Sequence, residues 1–305
     1  MRSAVLWSGV DLFLRQGVGF AITIVLARLL TPEDFGTIAL LAFFIGLASL
    51  FADAGFSAAL IQKQDATHVD ESTVFWFNMV ASLFVSLILI TMAPWIASFF
   101  DIEVLQSLVY LMAAVLVVSA LGSIHQTLLT KALDFKTQAK IGFVSMLVAA
   151  IVAVYMAYQG YGVWALAGQT VVSAFVTTFL LWAMHRWKPM LVFNVSALKG
   201  MFGFSGYIFA AQFLQVLYDK GYGLLLGKFF GVAQLGVFDR AGKTQRMVSE
   251  TMTGVVAKVT FPLYSRYSNE QDKLRQIVQL SVRSMMLVMA PVMLGLLIVA
   301  DILIP

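Results

Sequence analysis

Nine apolar segments, each 18 to 28 residues long, occupy most of this chain and limit what it can fold into: Ala4–Ala27, Gly36–Ile61, Val74–Phe99, Leu105–Leu128, Ile141–Tyr158, Val163–Met184, Met201–Leu226, Val232–Val259 and Val278–Ile304. One crossing of a bilayer's hydrocarbon layer takes about 20 such residues. Lipid offers no partner to an exposed backbone amide, so a spanning segment of this length closes its own hydrogen bonds as an α-helix. A β-barrel would show segments of about 10 residues with alternating polarity instead. A soluble globule fails on composition. Of the 305 residues 60% are hydrophobic and only 12% charged, against roughly 25% charged in soluble domains. The expected class is an all-α integral membrane protein with about nine transmembrane helices.

The connections between segments are short. The longest are Gln62–Thr73, Leu129–Lys140, His185–Gly200 and Thr260–Ile277, too small for an extramembrane catalytic domain. Basic residues set the orientation, because short cytoplasmic loops collect Lys and Arg. With the N-terminus inside, thirteen lie at inner ends: Arg2, Lys63, Lys131, Lys136, Lys140, Arg186, Lys188, Lys199, Lys258, Arg266, Lys273, Arg275 and Arg283. Two, Arg28 and Lys228, lie outside, and five fall within spans. The bias predicts a cytoplasmic N-terminus. The run Ala4–Leu30 is too long for a cleavable signal and lacks a small-residue cleavage site after a short apolar core. Absence of cysteine rules out a disulfide framework and a thiolate metal site.

The sequence also repeats itself. Residues Ala27 to Ile38 align without gaps on Gly227 to Phe238, sharing a small residue, a basic one, two apolar ones, four variable ones, an apolar one, a glycine and a further apolar position. Ser8-Gly9 and Ser205-Gly206 recur at the starts of the preceding helices. Both copies occupy an outer hairpin, separated by an even number of spans, so they share one orientation. That is the parallel kind of repeat, with two lobes related about the membrane normal and a site between them. The expected domains are a six-helix lobe over 1–190 and a partial second lobe over 198–305. The second lobe would hold three helices, three short of its partner, and the chain is expected to be truncated there.

Enzyme signatures are missing. His68, His125 and His185 are scattered along the chain without metal-ligand spacing, and the glycine-rich stretch Gly200 to Gly206 opens a helix instead of following a strand, which argues against a phosphate loop. No catalytic residue, metal, cofactor or nucleic-acid contact is expected. Charges at membrane depth are more informative, since a central Arg, Lys or Asp costs about 2.5–3.5 kcal/mol on insertion scales and faces a bundle interior or wet cavity. Arg15 lies mid-span with Asp11 one turn before it, Asp53 lies in the second span, and Asp219 and Lys220 lie in the seventh. Arg240, Lys243 and Arg246 recur every third residue in the eighth, within about 120° of helix surface. Asp239 and Glu250 stand four residues from Lys243 and Arg246, so local ion pairing and an anion-binding cavity both account for the pattern. Arg forks match phosphate geometry, which makes a phosphate-bearing substrate the better fit for the stripe.

Several segments are familiar. Leu26 to Gly36, with its Thr31-Pro32-Glu33-Asp34 core, followed by Asp53-Ala54-Gly55-Phe56 through Lys63, resembles the exopolysaccharide and O-antigen flippases of the Wzx type, a polysaccharide transporter family of the MOP superfamily. Gln126 to Lys136 and Thr260 to Arg266 are similar to the same family, nearest to its WzxC-like branch. The resemblance implies two six-helix lobes around a central cavity in the bacterial inner membrane. It implies transfer of an undecaprenyl-diphosphate-linked oligosaccharide from the cytoplasmic to the periplasmic leaflet by alternating access. The partners implied are that polyprenyl-diphosphate-linked glycan, membrane lipid and other polysaccharide-assembly proteins. Arg15, Lys220, Arg240, Lys243 and Arg246 are the positions that fit cationic cavity residues. Asp11 and Asp53 are the candidates for ion coupling, as in an ion-coupled multidrug antiporter of the same fold, the second reading. A membrane polysaccharide polymerase ranks third, because it needs a large periplasmic loop.

Overall fold

The computed structural model describes residues 17–243 apart from Phe20, residues 245–246, and parts of 275–297. All of the regular structure among the described residues is helical. The chain divides into two compact units, Met1–Gly236 and Val237–Pro305. The first unit contains α1 (Gly17–Leu29), α2 (Pro32–Asp53), α3 (Phe56–Gln62), α4 (His68–Phe100), α5 (Glu103–Lys131), α6 (Phe135–Tyr158), α7 (Val163–Met184) and α8 (Val195–Phe229). Residues 232–236 are helical and close it. In the second unit 237–243 and 245–246 are helical, as are the described parts of 275–297.

Six of the described helices are long and apolar enough to cross a membrane. They match the second to seventh predicted spans. The first, eighth and ninth predicted spans lie partly or wholly outside the described residues. One expectation needs correction: the segment Gly36–Ile61 is not a continuous helix. It stops at Asp53, turns through Ala54 (φ 47°) and Gly55 (φ 77°), and restarts at Phe56.

Helix starts follow from local chemistry. Thr31 and Asp34 form a capping box ahead of α2, with Pro32 in the first turn, where its missing N–H costs nothing. Thr67 and Asp70 repeat the device at α4. Asp134 caps α6 through the Thr137 amide, and Asn194 caps α8 through the amides of Ser196 and Ala197. These side chains satisfy amides that the first turn of any helix leaves orphaned.

Packing inside the first unit relies on small residues. Ala93, Ala113, Ala153, Ala165 and Ala167 are fully buried, and α4 lies along α5 as α6 does along α7. Lipid is as apolar as Leu, so helices gain little by hiding Leu and associate instead by close van der Waals approach. Leu40, Leu105, Leu108 and Ile124 fill the remaining core, while many other large apolar side chains point outward: Trp95, Ile151, Tyr158, Phe179 and Leu214 are all well exposed. A protein with that exterior is a multi-pass membrane protein, since such a surface in water would aggregate.

The two copies of the sequence repeat meet. A Cβ on Gly36 would stand 1.8 Å from the Val232 carbonyl oxygen, and a Cβ on Gly236 would stand 1.9 Å from that of Pro32. Gly36 and Gly236 correspond in the repeat, as do Pro32 and Val232. Each glycine therefore touches the partner of its own neighbour, the reciprocal pattern that a twofold relation produces. Backbone approaches backbone here, and no flexible side chain is available to give way. Gly36→Leu and Gly236→Leu should each cost at least the 1–3 kcal/mol typical of overpacking. Gly203→Ala, where an added Cβ meets nothing, should be neutral or stabilising by up to about 1 kcal/mol. Thermal unfolding of the three variants in detergent, read by tryptophan fluorescence, checks the contrast.

Candidate functional site

The break between α2 and α3 places a carboxylate beside buried polar groups. Asp53 Oδ1 accepts hydrogen bonds from the Ser57 amide (3.3 Å), from the Ser57 hydroxyl and from Asn78 Nδ2 (3.1 Å). Asp53 thus replaces part of the hydrogen bonding that the interrupted helix gives up. Asn78 is 2% exposed. Its Nδ2 also lies 3.5 Å from Ser123 Oγ on α5, while its Oδ1 is buried with no partner. These groups line a cavity of about 140 Å³ together with Ser49 and Ser119.

Ser119 and Ser123 also line a second cavity, of about 680 Å³, within the first unit. Its polar groups are uncharged: Gln126 on α5, and Gln169, Thr170, Ser173, Thr177 and Thr178 on α7. Thr170 and Thr178 spend their hydroxyls on the carbonyls of Leu166 (3.1 Å) and Val118 (3.0 Å). The others face a volume within the usual range for a small-ligand pocket. Hydroxyls and amides at membrane depth suit a neutral, hydroxyl-bearing group rather than an ion.

A second cluster gathers where α4 begins. The connection from α7 to α8 is strapped across the first turns of α4. Trp187 Nε1 donates to Glu71 (2.7 Å), Trp76 Nε1 to the Met190 carbonyl (2.8 Å), the Met190 amide to Ser72 (3.0 Å) and the Asn194 amide to Thr73 (3.1 Å). Beside it, His125 Nδ1 and His185 Nδ1 stand 3.0 Å apart, with His125 wholly buried against Trp182 and Trp187. The histidines that look scattered in sequence are thus in part a pair. Their only sequence signal is a shared depth at the same end of two different helices. Lys131 Nζ donates to the Lys63 carbonyl (2.6 Å), and Lys63 pairs with Asp70 (3.0 Å).

The sequence-predicted residues fall into three groups. Arg15 and Asp11 lie outside the described residues. Lys220, on α8, donates to the Ala42 carbonyl of α2 (3.2 Å), and Asp219 accepts from Gln215 (2.6 Å). In the second unit, Arg240 is 5% exposed, whereas Lys243 and Arg246 are exposed and share Asp239, at 2.6 Å and 4.0 Å. The stripe is therefore partly compensated by its own helix.

A family model described as "Polysaccharide biosynthesis protein" matches residues 25–305. This chain belongs to the polysaccharide biosynthesis protein family. It is 25% identical to the succinoglycan biosynthesis transport protein ExoT of Rhizobium meliloti, over 92% of this chain and 57% of that protein. It is 27% identical to the teichuronic acid biosynthesis protein TuaB of Bacillus subtilis, over 83% and 53%. It is 22% identical to the lipopolysaccharide biosynthesis protein WzxC of Escherichia coli, over 99% and 62%. The chain thus spans little more than half the length of these relatives. Among solved structures it resembles an inward-facing multidrug resistance MATE family transporter of the MOP superfamily, with a TM-score of 0.61 at 16% identity, over 98% of this chain and 74% of that one. That is a likeness of fold.

In this polysaccharide biosynthesis protein three of the described segments behind the sequence resemblance are structural punctuation. Thr31 to Asp34 is a capping box, Asp53 to Phe56 is the helix break, and Lys131 donates to the Lys63 carbonyl. The site as a whole joins one acid, one orphaned amide oxygen and a set of neutral hydroxyls. Among the described residues no group of three His, Cys, Asp or Glu side chains is placed to hold a metal ion.

Beyond the ends of the spanning helices, two of the described groups carry shifted protonation. Thr137, through its hydroxyl and then its amide, holds the Asp134 carboxyl below its usual range. Burial pushes His185 below the ordinary histidine value, against the opposing pull of Glu71 and Asp134. As pH falls below about 6.5 the unfolded chain takes up that proton first, so the folded state loses stability, and above that pH His185 contributes nothing. The unfolding midpoint in detergent should drop between about pH 7.5 and about pH 5.5, and His185→Asn should lessen that dependence.

Proposed function

We propose that this protein acts as a flippase, carrying an undecaprenyl-diphosphate-linked oligosaccharide from the cytoplasmic to the periplasmic leaflet of the bacterial inner membrane by alternating access. The family match across residues 25–305 carries this reading. The likeness to ExoT, a transport protein, and to WzxC, a lipopolysaccharide biosynthesis protein, supports it, and so does the transporter fold. It acts as a transporter and not as an enzyme.

The substrate is amphiphilic, and each part asks for different chemistry. The polyprenyl tail stays in lipid. The diphosphate takes cations, and we assign Arg15, Lys220, Arg240, Lys243 and Arg246 to it. Sugars take neutral donors and acceptors, for which Gln126, Gln169, Ser173 and Thr177 in the larger cavity are suited. In this scheme residues 1–190 form one lobe and 198–305 part of the second, the N-terminus is cytoplasmic, and other polysaccharide-assembly proteins are partners. An ion-coupled multidrug antiporter is the second reading, with Asp11 or Asp53 as its titrating group. The hydrogen-bonded Asp53 pocket and the MATE-like fold favour it.

Substituting Arg240 or Arg246 by Ala should abolish glycan export in a strain depending on this protein, while membrane insertion stays normal. Full export by both variants would remove the cationic assignment. Drug resistance lost in Asp53→Asn with glycan export intact would favour the antiporter instead.

A further inference from the structure

Between α8 and the α2–α3 break lies an aromatic slot that the sugar and diphosphate assignments leave unused. We propose that it seats the head-proximal part of a polyprenyl chain, with the attached phosphate at Lys199. The slot has a volume of about 400 Å³ and is lined by Phe51 of α2, Phe56 of α3, Phe77 of α4, and Phe202 and Phe209 of α8. Two ring pairs form its walls, Phe51 with Phe209 (centroids 5.2 Å apart) and Phe56 with Phe77 (4.7 Å). Close backbone contact sets its depth, since a Cβ on Gly55 would stand 2.6 Å from the Ser205 carbonyl oxygen. Gly206 also lines the slot, and a Cβ added there would meet nothing within 4 Å. Outward the slot is open, with Phe51 47% and Phe202 67% exposed. From Val195 to Phe209 the lining follows about 21 Å of α8, at 1.5 Å per residue. A volume of that size spread over that length suits one extended chain better than a compact ligand.

The polar lining consists of one hydroxyl and one ammonium. Ser205 spends its hydroxyl on the Phe202 carbonyl (3.1 Å). Lys199, exposed near the start of α8, remains for a ligand. A cation at one end of an apolar slot matches an amphiphile with an anionic head, and Lys holds phosphate as a point charge. Apolar fit alone selects nothing here, because lipid is as apolar as the slot. Discrimination comes from the head and from the entropy of holding the chain. Each immobilised rotor costs affinity, and an isoprenoid, with a double bond in every unit, has fewer rotors to freeze than a saturated acyl chain. Its methyl branches also set C–H groups against the electron-rich faces of the rings. Because the slot is open outward, the chain lies against the protein without leaving the lipid. The choice of an isoprenoid rests on the flippase reading; the slot and its cation do not.

The test uses the whole chain in phosphatidylethanolamine nanodiscs and a sugar-free probe, undecaprenyl phosphate carrying a diazirine on a head-proximal isoprene unit. After photolysis the labelled residues are read by mass spectrometry. Saturable labelling of the slot is expected, competed by undecaprenyl phosphate and not by phosphatidylglycerol. Gly206→Phe, which fills the slot, should lower labelling at least about tenfold. Gly203→Phe, where an added Cβ likewise meets nothing and which does not line the slot, should leave it unchanged. Lys199→Gln should weaken binding about fivefold, the scale of one Lys beside an anionic head. If Gly206→Phe fails to insert, Phe202→Ala combined with Lys199→Gln decides, since together they must lower labelling further than Lys199→Gln alone. Labelling spread evenly over the lipid-facing surface, equal competition by phosphatidylglycerol, or full labelling of Gly206→Phe would each overturn the proposal, the second assigning the slot to a phospholipid chain. Glycan export, which tests the flippase reading, is not measured here, so the two fail separately.

Discussion

In hydrocarbon every backbone amide and carbonyl needs a partner supplied by the protein. Six long apolar helices meet that demand internally. The one described interruption, at Ala54 and Gly55, meets it with side chains instead. Asp53 takes over the amide of Ser57, and Asn78 from α4 reaches in to fix the carboxylate. A left-handed Ala at 54 and a glycine pressed within 2.6 Å (as measured from an added Cβ) of the Ser205 carbonyl are strained choices for a plain transmembrane helix. They make sense where irregular backbone lines a cavity, the one setting in which membrane proteins tolerate it.

Two kinds of close approach then give the first unit its form. Alanines let α4 and α5, and α6 and α7, lie side by side. Glycines let backbone meet backbone at Gly36 and Gly236. The second contact is the more specific, because it joins equivalent positions of a repeat. Buried side chains pack beside it, Leu235 joining Leu40 and Leu41 in one core cluster with Ile38 and Val232 against them, so the backbone approach and the side-chain packing fix the same register.

Much of this was legible from sequence. Hydropathy runs located the six described spanning helices, because a membrane reads apolar length, but missed their polar first turns by up to six residues, as at His68, Phe135 and Val195. The glycine repeat was visible as a pattern, while the capping role of Thr31 and Asp34 emerged only with the structure. Side-chain pairings over long sequence separations were not. Nothing in the sequence relates Asn78 to Asp53, or His125 to His185, since each pair is set by the rotation of separate helices. The break at Ala54 was hidden for a different reason. Both flanks are apolar, and hydropathy does not distinguish a straight helix from a kinked one. The pairing of Asp239 with Lys243 lay within one helix and was correspondingly easy to anticipate.

The distribution of charge is the feature that bears most on transport. The larger cavity of the first unit offers uncharged hydroxyls and amides, and among the described residues Asp53, beside its wall, is bound up with Asn78 and Ser57. A helix of the second unit carries Arg240, Lys243 and Arg246, the last two sharing a single carboxylate. On the proposed flippase reading, neutral hydroxyls would serve the sugars and the cations the diphosphate. Cations grouped with the hydroxyls would be drawn into hydrogen bonds with the wall, which would weaken their hold on phosphate. A shared acid beside the cations would ease their cost in a low-dielectric setting, and a diphosphate, with two negative groups and bidentate geometry, would compete for the same Arg and Lys on better terms.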